Sequence, residues 1–113
     1  MSLEQYFASG PPYERAIYEA VAEHLASVGQ LQTEAVSVGI FFKRARTFAE
    51  LRPKRNRVVL SFLLSRPLEH SRIVKTWRGT GQRSAYFVDL RGAKDVDDDV
   101  RDWLTEAYLA SPT

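Results

Sequence analysis

Two stretches of helical apolar spacing enclose a long middle in which apolar residues recur with period two, and this change of period restricts the possible folds most. Ile17, Val21, His24, Leu25 and Val28 recur at three- and four-residue intervals, behind Pro11 and Pro12 and ahead of Gly29, so the first helix has a rigid start and a marked end. Val96, Val100, Trp103, Leu104, Ala107 and Tyr108 form a second stripe. It opens on Asp97, Asp98 and Asp99, where free amides and the helix dipole favour negative charge. Between the helices Val36, Val38, Ile40 and Phe42 alternate with Ser37, Gly39 and Phe41, and Thr47 to Arg52 reads as a short extended segment closed by Pro53. Pro53-Lys54-Arg55-Asn56 has the composition of a turn. Val58 to Leu64 is almost wholly apolar, which predicts a central strand covered on both faces and broken by Pro67. Ile73 to Arg78 and Ser84 to Leu90 read as two strands joined through Gly79-Thr80-Gly81-Gln82. The order α-β-β-β-β-β-α predicts an α+β fold: an antiparallel sheet of about five strands with the N- and C-terminal helices packed on one face.

At 113 residues this pattern fits a single domain spanning 1–113, with Met1 to Gly10 as a loosely ordered arm. A hydrophobic share of 44% supports one core. Without cysteine there is no disulfide framework, thiolate metal site or thiol nucleophile, and a reducing compartment is expected. Met1 to Gly10 lacks the basic-then-apolar layout of a signal peptide, and no apolar run nears the roughly eighteen residues that span a bilayer, so the expected location is cytoplasmic, away from membranes.

The formal net charge of +2 conceals a segregated pattern. Lys43 to Lys94 holds fourteen Lys and Arg against Glu50, Glu69 and Asp89, a balance of +11, whereas Met1 to Phe42 carries −4 and Asp95 to Thr113 carries −5. Either the middle meets an anionic partner or it pairs with the acidic ends.

Ser37-Val38-Gly39-Ile40-Phe41-Phe42-Lys43-Arg44, Arg46 to Pro53, Leu60-Ser61-Phe62 and the ending from Asp95 to Tyr108 together resemble a small bacterial domain family of unknown function. That family is also found as a C-terminal domain of longer proteins labelled predicted transport proteins. The resemblance covers almost the whole chain, implies the fold above and transfers no catalytic residue.

The densest basic run is Lys43, Arg44, Arg46, Arg52, Lys54, Arg55 and Arg57, with Glu50 as its only acid. Such a cluster can neutralise several phosphates, and Arg adds planar bidentate recognition; the competing reading is a solvated turn and edge whose charges discourage aggregation. Phe41, Phe48, Trp77 and Phe87 lie beside Lys43, Arg46, Arg78 and Arg83, so a sheet face could stack nucleobases while the cations hold the backbone; the competing role for each ring is core packing. In Arg83 to Arg91, alternation sends Arg83, Phe87, Asp89 and Arg91 to one face and Tyr86, Val88 and Leu90 towards the helices, leaving Asp89 to bridge an Arg.

The remaining candidates are weaker. The three adjacent aspartates lack the alternating ligands of a calcium loop and read as helix capping. His24 reads as a structural histidine on the apolar stripe, and Glu69-His70-Ser71 as a loop whose neighbouring side chains do not converge. Gly79-Thr80-Gly81 lacks the third glycine and the lysine of phosphate-binding loops. No catalytic residue, metal ligand or cofactor site is expected. The expected activity is therefore that of a non-enzymatic module holding nucleic acid or another polyanion through Lys43, Arg44, Arg46, Arg52, Lys54, Arg55, Arg57, Arg83 and Arg91, with Phe41, Trp77 and Phe87 available for stacking. Two alternatives stay open: a homodimerisation or protein-interaction domain, and a small-ligand domain or enzyme with a pocket between sheet and helices near Tyr86, Trp77 and His24.

Overall fold

The computed structural model describes residues 1–79 and 81–112. The expected N-terminal arm contains one helical turn, α1 (Leu3–Tyr6). Its capping box is closed at both ends, Gln5 N donating to Ser2 Oγ and Ser2 N to Gln5 Oε1. Phe7 and Tyr18 carry the segment onto core residue Phe42, with ring centroids 5.5 Å and then 6.1 Å apart. Helix α2 (Pro12–Val28) starts with proline at its first position and turns Ile17, Val21 and Leu25 inward, as their spacing requires. Helix α3 (Asp98–Ala110) buries Val100, Trp103, Leu104, Ala107 and Tyr108. Asp97 caps it, its Oδ1 accepting from Val100 N at 3.0 Å.

Six strands separate these helices: β1 (Gln32–Val36), β2 (Gly39–Lys43), β3 (Thr47–Pro53), β4 (Val58–Leu64), β5 (Ile73–Arg78) and β6 (Ser84–Leu90). They form one sheet in the order β1-β2-β3-β4-β6-β5 with every neighbouring pair antiparallel. The chain is thus α+β as expected, with six strands in place of five. The additional strand arises because Val36 to Phe42 is no single strand: the chain reverses at Ser37-Val38, pairing Val36 with Gly39 and Ala35 with Ile40. No described non-glycine residue has a positive φ, so this reversal carries none of the Asn-Gly or Asp-Gly chemistry that usually announces a tight hairpin.

Both long helices cover the same face of the sheet. Ile40, Phe42, Leu51, Leu60, Phe62, Leu64, Val88 and Leu90 meet them there, and Trp103 stacks on Phe62 with centroids 5.7 Å apart. Strand β4 is interior, between β3 and β6. Its expected covering on two faces is corrected: Val58, Leu60, Phe62 and Leu64 are buried, while Val59, Ser61 and Leu63 are only half-buried. The second apolar set of β4 lies on a sheet face that no described helix crosses.

Polar ties close the rest. His24 Nε2 and Thr105 Oγ1, 2.7 Å apart, link α2 to α3, the structural role expected of that histidine. Tyr86 Oη donates to Arg66 O and accepts from Leu68 N, holding the loop after β4. At the β5–β6 hairpin Gly79 N donates to Arg83 O and Gly81 takes φ +77°, the left-handed conformation that favours glycine; Thr80 lies outside the described residues. No described helix is long and apolar enough to cross a membrane.

Candidate nucleic-acid interface

The period-two geometry of the strands builds the uncovered face in rows. In the central row the register aligns Glu34, Phe41, Glu50, Ser61, Phe87 and Lys75 across all six strands. One flanking row runs Leu63, Ala85, Trp77, and the other Arg52, Val59, Asp89. Phe41, Trp77 and Phe87, the three rings expected to be free for stacking, therefore share one face. Trp77 is 59% exposed and Phe41 and Phe87 are half-buried, whereas Phe48 is fully buried against Tyr108 and belongs to the core. Two adjoining depressions mark this surface, one of about 470 Å³ reaching Leu63, Trp77 and Phe87, the other of about 370 Å³ reaching Val59, Phe87 and Asp89. Both are bordered by Arg52 and Lys54.

The cations of the sequence cluster are divided by the strand they flank. Arg46 and Lys54 stand beyond opposite ends of β3, a strand that spans roughly 20 Å at the usual rise per residue. Arg52 lies on the open face with Cζ 5.9 Å from the Phe41 centroid, donating through Nε to Glu50 at 3.0 Å. Arg57 lies beside Asp89, Nε to Oδ1 3.1 Å, which is the internal bridge expected of that acid. Exposed Lys54 and Arg55 occupy the β3–β4 turn, closed by Lys54 N donating to Arg57 O at 2.8 Å. Arg91 joins that end, its Nη1 reaching Asn56 O at 3.5 Å. Arg83 is half-buried at the other end, with Nη2 buried and without a described partner. Lys43 is matched to Glu34 of β1 at 3.0 Å.

One candidate is corrected. Arg44 does not join the surface: its Cζ lies 4.2 Å from the Tyr108 centroid, and its Nη1 donates to Tyr108 O and Ser111 O, so it anchors the end of α3. Lys75, which the sequence reading passed over, lies on the open face with Nζ 5.2 Å from the Phe87 centroid. Its spacing of two from Trp77 was the available signal.

The charge segregation is resolved only in part by pairing of the middle with the ends. Lys43, Arg66 and Arg72 pair with acids of the terminal segments, Glu34, Glu106 and Asp97. The two oxygens of Glu106 hold Arg66 bidentately and raise its pKa. Lys54, Arg55, Lys75, Arg83 and Arg91 have no ion pair with a described acid, and Lys54 and Lys75 border the open face.

Other candidates are occupied or dispersed. Asp97, Asp98 and Asp99 diverge towards Arg72, Arg101 and His70 respectively. His70 stands edge-on to Trp103, and its Nδ1 accepts from Arg72 N at 3.1 Å. Trp77, Tyr86 and His24 do not converge, because Trp77 pairs with Ala85 on the open face while Tyr86 faces the core and His24 lies between the helices. A polar cleft of about 870 Å³ lies elsewhere, between the loop after β4 and the β5–β6 hairpin.

Residues 3–111 match the model of a family described as Domain of unknown function (DUF5655). No curated protein and no solved structure matches the chain.

Proposed function

We propose, from the premise that this chain belongs to the DUF5655 family, that it is a non-enzymatic module binding single-stranded nucleic acid on the open face of its sheet. The observation that carries the reading is the union on one helix-free surface of Phe41, Trp77 and Phe87 with Arg52, Lys54, Arg57 and Lys75 around two adjoining depressions. Unstacked bases find aromatic faces there, and phosphates find cations at the rim. In a duplex the base faces are stacked on one another and closed to side-chain rings, which is why the single-stranded form is favoured. The same reading takes the domain as bacterial and cytoplasmic, and as a type that recurs at the C-terminus of longer proteins labelled predicted transport proteins. The sequence resemblance and the lack of cysteine support it.

Affinity for a single-stranded oligonucleotide should fall log-log linearly with salt, with a slope near −0.7 per phosphate contact. Replacing Arg52, Lys54, Arg55 and Arg57 together by Ser should flatten that slope, because these side chains supply the neutralising charge. Trp77→Ala should lower affinity with little change in slope, since a stacking ring releases no counterions. Fluorescence anisotropy across a salt series separates the two effects. No retention at about 50 mM salt, where counterion release favours binding most, would overturn the reading.

A second reading, self-association, is favoured by Val74 and Trp77, 57% and 59% exposed on edge strand β5. Sedimentation equilibrium decides it: a mass that rises with protein concentration and returns to monomer in Trp77→Ala would support pairing through β5.

A further inference from the structure

Within the open face, the smaller depression is lined by Phe87 together with a carboxylate and several cations. Its apolar wall comes from Val59 and Val74, and cations surround its mouth. Its one acid is Asp89. Arg57 Nε lies 3.1 Å from Asp89 Oδ1, close enough for charge compensation. The two atoms are nevertheless not aligned for a hydrogen bond, and both are buried without a described partner. The Asp89 side chain is 27% exposed, so with Oδ1 covered the carboxylate opens to the depression through its remaining surface. A single carboxylate oxygen can accept two hydrogen bonds at once, so Oδ2, which is not covered, can take a pair of donors from a ligand.

This rests on the binding reading above, and it names the base. We infer that the Phe87 depression is a guanine subsite: the purine stacks on the Phe87 ring, the uncovered Oδ2 of Asp89 accepts hydrogen bonds from its N1–H and N2–H groups, and the guanidinium end of Arg57 donates to its O6. Guanine alone among the four bases presents two adjacent donors on its Watson–Crick edge beside an acceptor, which is the complement of a carboxylate lying next to a guanidinium. Adenine offers one donor there, and its ring N1 would bring a lone pair towards the carboxylate. Uracil offers a single donor between two acceptors. Cytosine offers one donor beside two acceptors, which turns a ring lone pair towards the carboxylate and supplies a smaller ring to the stack. The neighbouring cations then serve the phosphates on either side of the bound base, and the nearest, Lys75, already stands 5.2 Å from the Phe87 centroid.

The test measures binding of RNA heptamers by anisotropy, each with uridine flanks and one central guanine, inosine, adenine or cytosine. The central guanine should bind about tenfold more tightly than adenine, as expected for one bidentate base contact, with inosine, which keeps N1–H and lacks the N2 amino group, between them. Asp89→Asn keeps the shape of the side chain and replaces one acceptor by a donor. It should bring guanine and adenine within about twofold of each other while leaving the salt slope of the adenine heptamer unchanged. Equal binding of all four heptamers by the parent, a preference for cytosine or adenine, or a guanine preference that survives Asp89→Asn would each overturn the guanine assignment while leaving single-strand binding in place. Failure of every heptamer to bind at about 50 mM salt would overturn the binding reading and the subsite with it.

Discussion

Arg44 and Arg46 are two residues apart in the same basic run, yet the fold gives them opposite work. Arg44 stacks on Tyr108 and donates to two main-chain carbonyls at the end of α3, whereas Arg46 is exposed in the β2–β3 connection. Arg44→Ala should therefore cost about 1 to 3 kcal/mol of folding stability, through two lost charge-assisted hydrogen bonds and a cation–π contact, and Arg46→Ala should stay within about 0.5 kcal/mol. Urea denaturation of the two variants measures the difference. The same contrast holds for apolar residues on β4. Leu60 is fully buried beneath the helices, so Leu60→Ala should cost about 2 to 5 kcal/mol, while Leu63→Ala, on the open face, should cost about 1 kcal/mol or less. A midpoint for Leu60→Ala that barely moves would contradict its place in the core.

At the scale of elements, the β1–β2 hairpin was the part hidden from periodicity. Val36, Val38, Ile40 and Phe42 alternate as a single strand would, and a two-residue reversal at Ser37-Val38 hardly disturbs that alternation. Gly39 carries the consequence. A Cβ on it would run into the main-chain oxygen of Leu51 on β3 and crowd the Arg52 side chain, so only a bare backbone lets β2 approach β3 at that point. Gly39→Ala should destabilise the domain by about 1 to 3 kcal/mol, because strand backbone has to shift to relieve the overlap. Hydrogen exchange should show the loss of protection first in β1 and the start of β2, with β4 and β6 least affected. Uniform loss across the sheet would mean that the hairpin does not open separately.

For the whole molecule, the segregated charge could stabilise the fold or serve a partner, and salt distinguishes the two. The ion pairs that join the basic middle to the acidic ends, Lys43–Glu34, Arg66–Glu106 and Arg72–Asp97, all involve side chains between 25% and 52% exposed. Pairs of that kind are worth roughly 0 to 1 kcal/mol each and weaken further as salt screens them. Raising salt from about 50 to 200 mM should thus change folding stability by about 1 kcal/mol or less. Over the same interval, oligonucleotide affinity should fall about 20- to 300-fold for three to six phosphate contacts. Thermal melts and binding titrations in matched buffers test both halves. A large loss of stability with little loss of binding would mean that the cations mainly hold the fold together.

Local spacing in the sequence determined the two long helices, the proline start of α2, the Asp97 cap of α3, the strands from Thr47 onward and the face on which Phe87 and Asp89 lie. All of these follow from side-chain direction along a single element, which neighbours a few residues away specify. The tertiary structure alone decided what depends on residues distant in sequence. It withdrew Arg44 to the end of α3 and parted Arg46 from Lys54 by the length of β3. It also set Phe41, Phe87 and Lys75 in one row, an alignment fixed by inter-strand register. Register arises from hydrogen bonding and packing between strands, so no window along the chain contains it.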